Sequence, residues 1–420
     1  MSNIAILILI IVIAHALIEG LADYLNLSAM KDAPPEVLKD VYDTEKFIQS
    51  QRYLRARTRL DRWASLTDLA VFLLFWFSGG FGLLDQWVRS AGLPPVGSGL
   101  VFIGLLVAAA GLIRLPFAWY GTFVVEARFG FNRTTVRLFL YDRLKMLALA
   151  LVLGAPLLAG VLAFFAYAGD RAWLWCWLAV SAFMLTMQVV VPAWIMPLFN
   201  RFTPLADGHL KDAVLAYARQ NRFPLDKVFV MDGSRRSARS NAFFAGLGAR
   251  KRLVLFDTLI QRHPPAEIVA VVAHEIGHYK EHHLLKMTAL SILQAGLMFY
   301  LLSWFISWPP LFTAFYVAQP SVYAGLVFFG LLYGAVDFFL GLALLGLSRR
   351  HEYAADRFAA ATIDDPGDLV GALKGLCRDN LANPAPHPFY VFLRYSHPPV
   401  AERLMAIGSK GMTPLGPLPT

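Results

Sequence analysis

The amino-acid sequence predicts a mainly α, polytopic membrane protein with seven transmembrane helices and a polar domain carrying a small β-sheet. Three observations predict it. Hydrophobic residues make up 57% of the 420 and charged residues only 16%, against about 25% charged in soluble domains. The mean hydropathy is +0.53. Seven apolar runs approach the roughly 20 residues that a bilayer core of about 30 Å demands, and the Lys and Arg between them fall in alternate loops.

The first run, 4–21, has no Lys or Arg before its apolar stretch and no small-x-small cleavage site, so it reads as a retained helix rather than a signal peptide. The next four lie at 66–88, 98–121, 145–168 and 172–196, and the last two at 286–308 and 322–347. The chain then divides into five spans (1–196), a polar segment (197–284), spans six and seven (285–348) and a polar C-terminal segment (349–420). Basic residues crowd "QRYLRARTRLDR", "RFGFNRTTVRLFLYDRLK" and "SRRHE", whereas "SWPPLFTAFYVAQPS" has no charge. The positive-inside rule puts the N-terminus outside and both polar segments in the cytoplasm. It also accounts for the formal charge of +9; no Lys/Arg-rich block with interleaved aromatics suggests nucleic acid. Cys176 and Cys377 are too few and too far apart for a disulfide framework or a CxxC site. Asp337, near the middle of the last span, is expected to face a wet interior or another helix, and His15 and Glu19 likewise.

Within the first polar segment, "KVFVMDGS", "SNAFFAGLG" and "KRLVLFD" are short β-type runs, whose edge could hold an extended peptide by main-chain hydrogen bonds. "HPPAEIVAVVAHEIGHYKEHH" follows as a helix opened by proline. His274 and His278 then share a face one turn apart and can reach one zinc ion, with Glu275 beside them to work on its water. His282 lies about 12 Å from His274 along the axis, too far to share that ion. The metzincin continuation fails too, since Glu281 and Leu284 occupy the positions of its Gly and third His. The third ligand must come from elsewhere. In "SRRHEYAADRFAAATI", read as an amphipathic helix starting at the membrane surface, Glu352 and Asp356 share one face. One carboxylate can bind zinc while the other fixes a ligand histidine through its free N–H.

Together with "FGFNRTT" (129–135), "IMPLFNRFTPL" (195–205), "SNAFFAG" (240–246), "HEIGH", "EYAAD" (352–356) and "SHPPVAERL" (396–404), these features make the chain resemble the type I CAAX prenyl protease family of integral-membrane zinc endopeptidases. The resemblance implies one zinc ion held by His274, His278 and Glu352, with Glu275 as catalytic base and Asp356 as partner of a ligand histidine. By the same resemblance His397 and Arg403 stabilise the developing oxyanion and bind peptide near the metal, and Asn241 and Ala242 contact substrate. It further implies a chamber between the helices, with zinc at its cytoplasmic end. The partners expected are the lipid bilayer and a peptide or protein substrate, one prenylated at a C-terminal CAAX motif being the family's mark. A quality-control protease for membrane proteins is an alternative. So is a polytopic metal transporter, which would place its metal residues in the membrane midplane. Lack of a transit peptide or retrieval signal suggests a bacterial inner membrane.

Overall fold

A computed structural model describes residues 1–31, 33–245 and 251–408. Gly246 of "SNAFFAG" and the tail 409–420, on which the retrieval-signal reading rests, lie outside the described residues. The helices are α1 (Asn3–Ser28), α2 (Thr44–Phe77), α3 (Gly80–Ser90), α4 (Pro95–Tyr120), α5 (Val136–Leu149), α6 (Ala155–Tyr167), α7 (Ala172–Val190) and α8 (Met196–Phe199). After strand β1 (Phe202–Pro204) come α9 (His209–Gln220), β2 (Leu225–Met231), β3 (Ala242–Ala245), β4 (Lys251–Phe256), α10 (Asp257–Arg262) and α11 (Pro265–Lys280). The chain continues through α12 (His283–Phe305), α13 (Pro309–Thr313), α14 (Val322–Thr362), α15 (Pro366–Asp379), α16 (Pro388–Arg394) and α17 (Val400–Gly408).

Among the described residues six helical stretches are long and apolar enough to cross a membrane, α5 and α6 counting as one (136–167), and α2 with α3, bent by 66°, passes the same test as a pair. The bend falls at Ser78–Gly79–Gly80, the sort of sequence where helices kink. Gly79 takes φ +77°, which glycine adopts without steric cost, and a Cβ on Gly80 would stand 2.4 Å from the Phe75 ring. The expected single run 66–88 is therefore two helices. The last span differs as well: α14 runs unbroken for 41 residues, about 60 Å, because nothing in "LSRRHEY" stops a helix. The EYAAD turn is its extension beyond the bilayer, not a separate element.

Among the described residues two large apolar cores, with a smaller one around Tyr53, Phe129 and Phe131, hold the molecule together. At the end of the spans remote from the sheet, Trp76, Phe81, Phe102, Phe312, Phe315 and Phe328 interlock, and Phe315 stacks on Phe328 at 4.1 Å. At the other end, Tyr42 and Phe47 pack with Val214, Leu253, Leu255, Ile268, Val272 and Ile276, joining sheet, α9 and α11. Between these cores the spans stand apart. In α4 all six residues from Val107 to Leu112 are exposed, so no face of the helix is covered there. Asp337 is exposed and accepts a 2.8 Å hydrogen bond from Gln294 of α12, so it meets the expectation of another helix. His15 packs edge-on to Phe338, and Glu19 pairs with Arg394.

The sheet order is β1-β2-β4-β3, with β2 and β4 parallel and the outer pairings antiparallel. The three expected runs supply β2, β3 and β4. The short β1, inside "NRFTPL", carries no alternation that would announce it.

Candidate metal centre

Helix α11 begins at Pro264–Pro265, with proline in its first turn where the missing N–H costs nothing. Its flanks are apolar, and Ala270, Val272, Ala273 and Ile276 are fully buried. Gly277 sets how near α14 comes: a Cβ there would stand 3.0 Å from both the Cα and the carbonyl oxygen of Ala355. Only glycine permits so close a crossing. It brings the histidines of α11 against Glu352 and Asp356 of α14.

His274 Nε2 lies 3.1 Å from His278 Nε2. Glu352 Oε1 is 3.2 Å from His278 Nε2, and Glu352 Oε2 is 3.4 Å from His274 Nε2. Bonds of 2.0–2.1 Å to a tetrahedral zinc ion separate two ligand atoms by about 3.3 Å, close to the spacing of the two imidazole nitrogens; the Glu352 contacts end on different oxygens of its carboxylate, and one donor atom from each of the three residues lies within 4.8 Å of the others. Glu352 is 3% exposed, and its Oε2 makes no hydrogen bond, with Arg403 Nη1 3.4 Å away. A buried carboxylate oxygen that makes no hydrogen bond is costly, and a metal ion beside it would lower that cost. Donor set and geometry therefore fit zinc.

Around these donors lies a layer of buried polar groups. His274 Nδ1 is 2.9 Å from Asp356 Oδ1. Arg403 donates to the same carboxylate through Nε at 2.7 Å and Nη2 at 2.6 Å, and its Nη1 lies 3.4 Å from Glu352 Oε2. Arg403 is buried and pairs with two carboxylates beside the converging donors. His397 Nε2 is 3.3 Å from Glu352 Oε1, and its side chain is 64% exposed, so it faces the space above the donors. Glu275 is partly buried on α11; burial raises its carboxyl above the ordinary value against the pull of His274 and His278.

His283 and His351 were not anticipated. His278 Nδ1 lies 3.0 Å from His283 Nδ1, and the His283 ring stacks on His351 at 3.9 Å and 15°. On a continuous helix, five residues is well over a turn and His283 would point away from His278. The chain breaks at His282, which takes φ +55°, and α12 restarts with His283 turned back. Histidine tolerates that left-handed conformation better than most side chains, but nothing in "YKEHH" marks the break. Asn241 and Ala242 take no part in this cluster; they open β3, where the Asn241 Oδ1 accepts from the Ala242 N–H at 2.8 Å.

Comparison with known proteins follows the same two parts of the chain. Residues 23–201 match the family described as CAAX prenyl protease N-terminal, five membrane helices, and residues 204–410 match peptidase family M48. CAAX prenyl protease 1 of Saccharomyces cerevisiae is 35% identical over 405 residues, covering 89% of this chain and 88% of the relative. The CAAX prenyl protease 1 homolog of Homo sapiens is 32% identical over 423 residues, with the same coverage of 89% and 88%. The crystal structure of S. mikatae Ste24p superposes with a TM-score of 0.92 at 32% identity, covering 97% of this chain and all of that one. These relatives are eukaryotic and lend no support to the expected bacterial inner membrane. Two helices crossing at a glycine with converging metal donors, on a fold shared end to end with these proteins, lead to one conclusion: the chain belongs to the CAAX prenyl protease family of M48 peptidases and is a multi-pass membrane metalloprotease.

Proposed function

We propose that the protein is a zinc endopeptidase acting on peptides or proteins prenylated at a C-terminal CAAX motif. The convergence of donor atoms from His274, His278 and Glu352 within 4.8 Å of one another carries this reading. These three residues hold a single zinc ion. When bound, zinc supplies a Lewis acid and lowers the pKa of water in its open position. Glu275 takes a proton from the attacking water and returns it to the leaving amine. Asp356 fixes the ring of His274, and Arg403 acts through Asp356 and Glu352 by balancing their buried charge. His397, exposed beside Glu352, meets the oxyanion. Ala242, with Asn241 beside it, offers the edge of β3 to the substrate backbone. A metal transporter fits less well, since the donors lie on α11 and on the outer turns of α14 rather than at a midplane.

The deciding experiment is cleavage of a prenylated CAAX peptide by purified protein. Activity should vanish on chelation and return with about one equivalent of zinc. Cleavage that persists after zinc has been shown to be removed would overturn the reading.

The basic loops support an N-terminus outside and a metal centre on the cytoplasmic side. Cys176 and Cys377 are both buried, so introduced thiols can be read against a low background. A cysteine at Gln319 should react with an impermeant reagent from outside, and one at Gly408 should not. Labelling in the opposite pattern reverses the orientation.

A further inference from the structure

A cavity of about 690 Å³ opens at the start of β3, bounded by Asn241, Phe256, Arg236, Arg239, Glu126 and Asn380 among others. None of the metal-centre residues lines it. Its position relative to the sheet edge follows from the hydrogen bonding. The Asn241 carbonyl accepts from the Phe256 N–H, and Ala242 registers with Leu255. In an antiparallel pair the bonding direction alternates, so Asn241 and Phe243 turn their main-chain groups toward β4, while Ser240, Ala242 and Phe244 turn theirs toward the outer side.

On that outer side the edge is closed at one point. The Ser240 N–H donates to Asn380 Oδ1 at 3.1 Å, and the Ser240 carbonyl accepts from Asn380 Nδ2 at 3.2 Å. The Asn380 amide thus stands where an added strand would make its next pair. A peptide laid along β3 can pair at Ala242, displacing the exposed Asn241 side chain, and at Phe244. At Ser240 it must leave the edge, and the cavity lies there.

The cavity wall has a sign. Arg236 grips Asp142 through Nε and Nη2 and donates to Asn200. Arg239 bonds Glu126 and Tyr53 through Nη2, and its side chain remains 42% exposed. Arg57 reaches Glu126 at 3.8 Å but pairs more closely with Asp61, at 3.1 Å. On the cavity wall itself two guanidinium groups, Arg236 and Arg239, face one carboxylate, Glu126. The excess positive charge favours a carboxylate over an ammonium at this end.

Resting on the peptidase reading above, we propose that this cavity receives the C-terminal carboxylate of the substrate, with Arg239 as its partner. The bound peptide then runs antiparallel to β3, its last residue beyond the Asn380 stop. The site of cutting is measured from the free end of the chain.

The test uses two prenylated CAAX peptides that differ only in ending as a free carboxylate or a carboxamide. Wild-type protein should cut the amide with a kcat/KM roughly 10- to 100-fold lower, the worth of one charge-assisted hydrogen bond. Arg239→Gln should bring the two rates together, and Arg239→Lys should restore part of the difference. Because each protein is compared with itself on two substrates, partial misfolding lowers both rates and leaves their ratio. Equal rates with the wild-type protein, or an undiminished ratio in Arg239→Gln, would overturn the proposal. Failure of the peptidase reading looks different, since wild-type protein would then cut neither peptide.

Discussion

Glu275→Gln is expected to bind zinc one-to-one and to cleave peptide roughly 10²- to 10⁴-fold more slowly than the wild type, the range general acid–base catalysis contributes. The amide keeps the size of the carboxylate, so the packing of α11 should survive and the melting temperature should move little. It cannot accept the water's proton. The structure sharpens this expectation, because Glu275 is partly buried beside the converging donors and, among the described residues, makes no hydrogen bond or ion pair that ties α11 to α14. Near-normal turnover by a zinc-loaded Glu275→Gln protein would remove Glu275 from the base's role.

The second large effect separates Glu352 from Asp356. Glu352→Ala removes one of three donors and should lower zinc affinity well beyond the roughly 10- to 100-fold expected when Asp356→Asn weakens the support of His274. Stability should follow the opposite order. Asp356 receives two short hydrogen bonds from a buried Arg403, and taking the charge from one partner of a buried pair costs about 3–5 kcal/mol. Chelator competition and thermal unfolding, run on both variants, read the two orders separately. Stoichiometric zinc in Glu352→Ala together with its loss in Asp356→Asn would exchange their roles, and Glu281 or Glu402 would then be tested as ligand.

Spacing made the pairing of His274 with His278 and of Glu352 with Asp356 readable before any fold was known, because a helix turns four-residue intervals into one face. Apolar runs made the spans readable for the same local reason. What resisted reading depends on distant parts of the chain or on rare backbone states. His283 reaches His278 only because His282 adopts a left-handed conformation that its residue type permits but does not announce. The two guanidinium bonds of Arg403 depend on α17 packing against α14, a contact between residues 47 apart. The bend at Gly79 was hidden because hydropathy averages over the Ser-Gly-Gly that causes it. Asn380, 140 residues from Ser240, could not have been tied to the edge of β3 by any local pattern.

The unbroken course of α14 has a mechanical meaning. Its first turns are wedged among the aromatic rings at one face of the bilayer, and its last turns carry Glu352 and Asp356 beyond the other. With no break in between, it behaves as a stiff rod. Its far end is clasped by α11 at the Gly277 crossing and by Arg403 of α17. One continuous element thus fixes the span between the aromatic anchor at one end of the molecule and the polar cluster at the other.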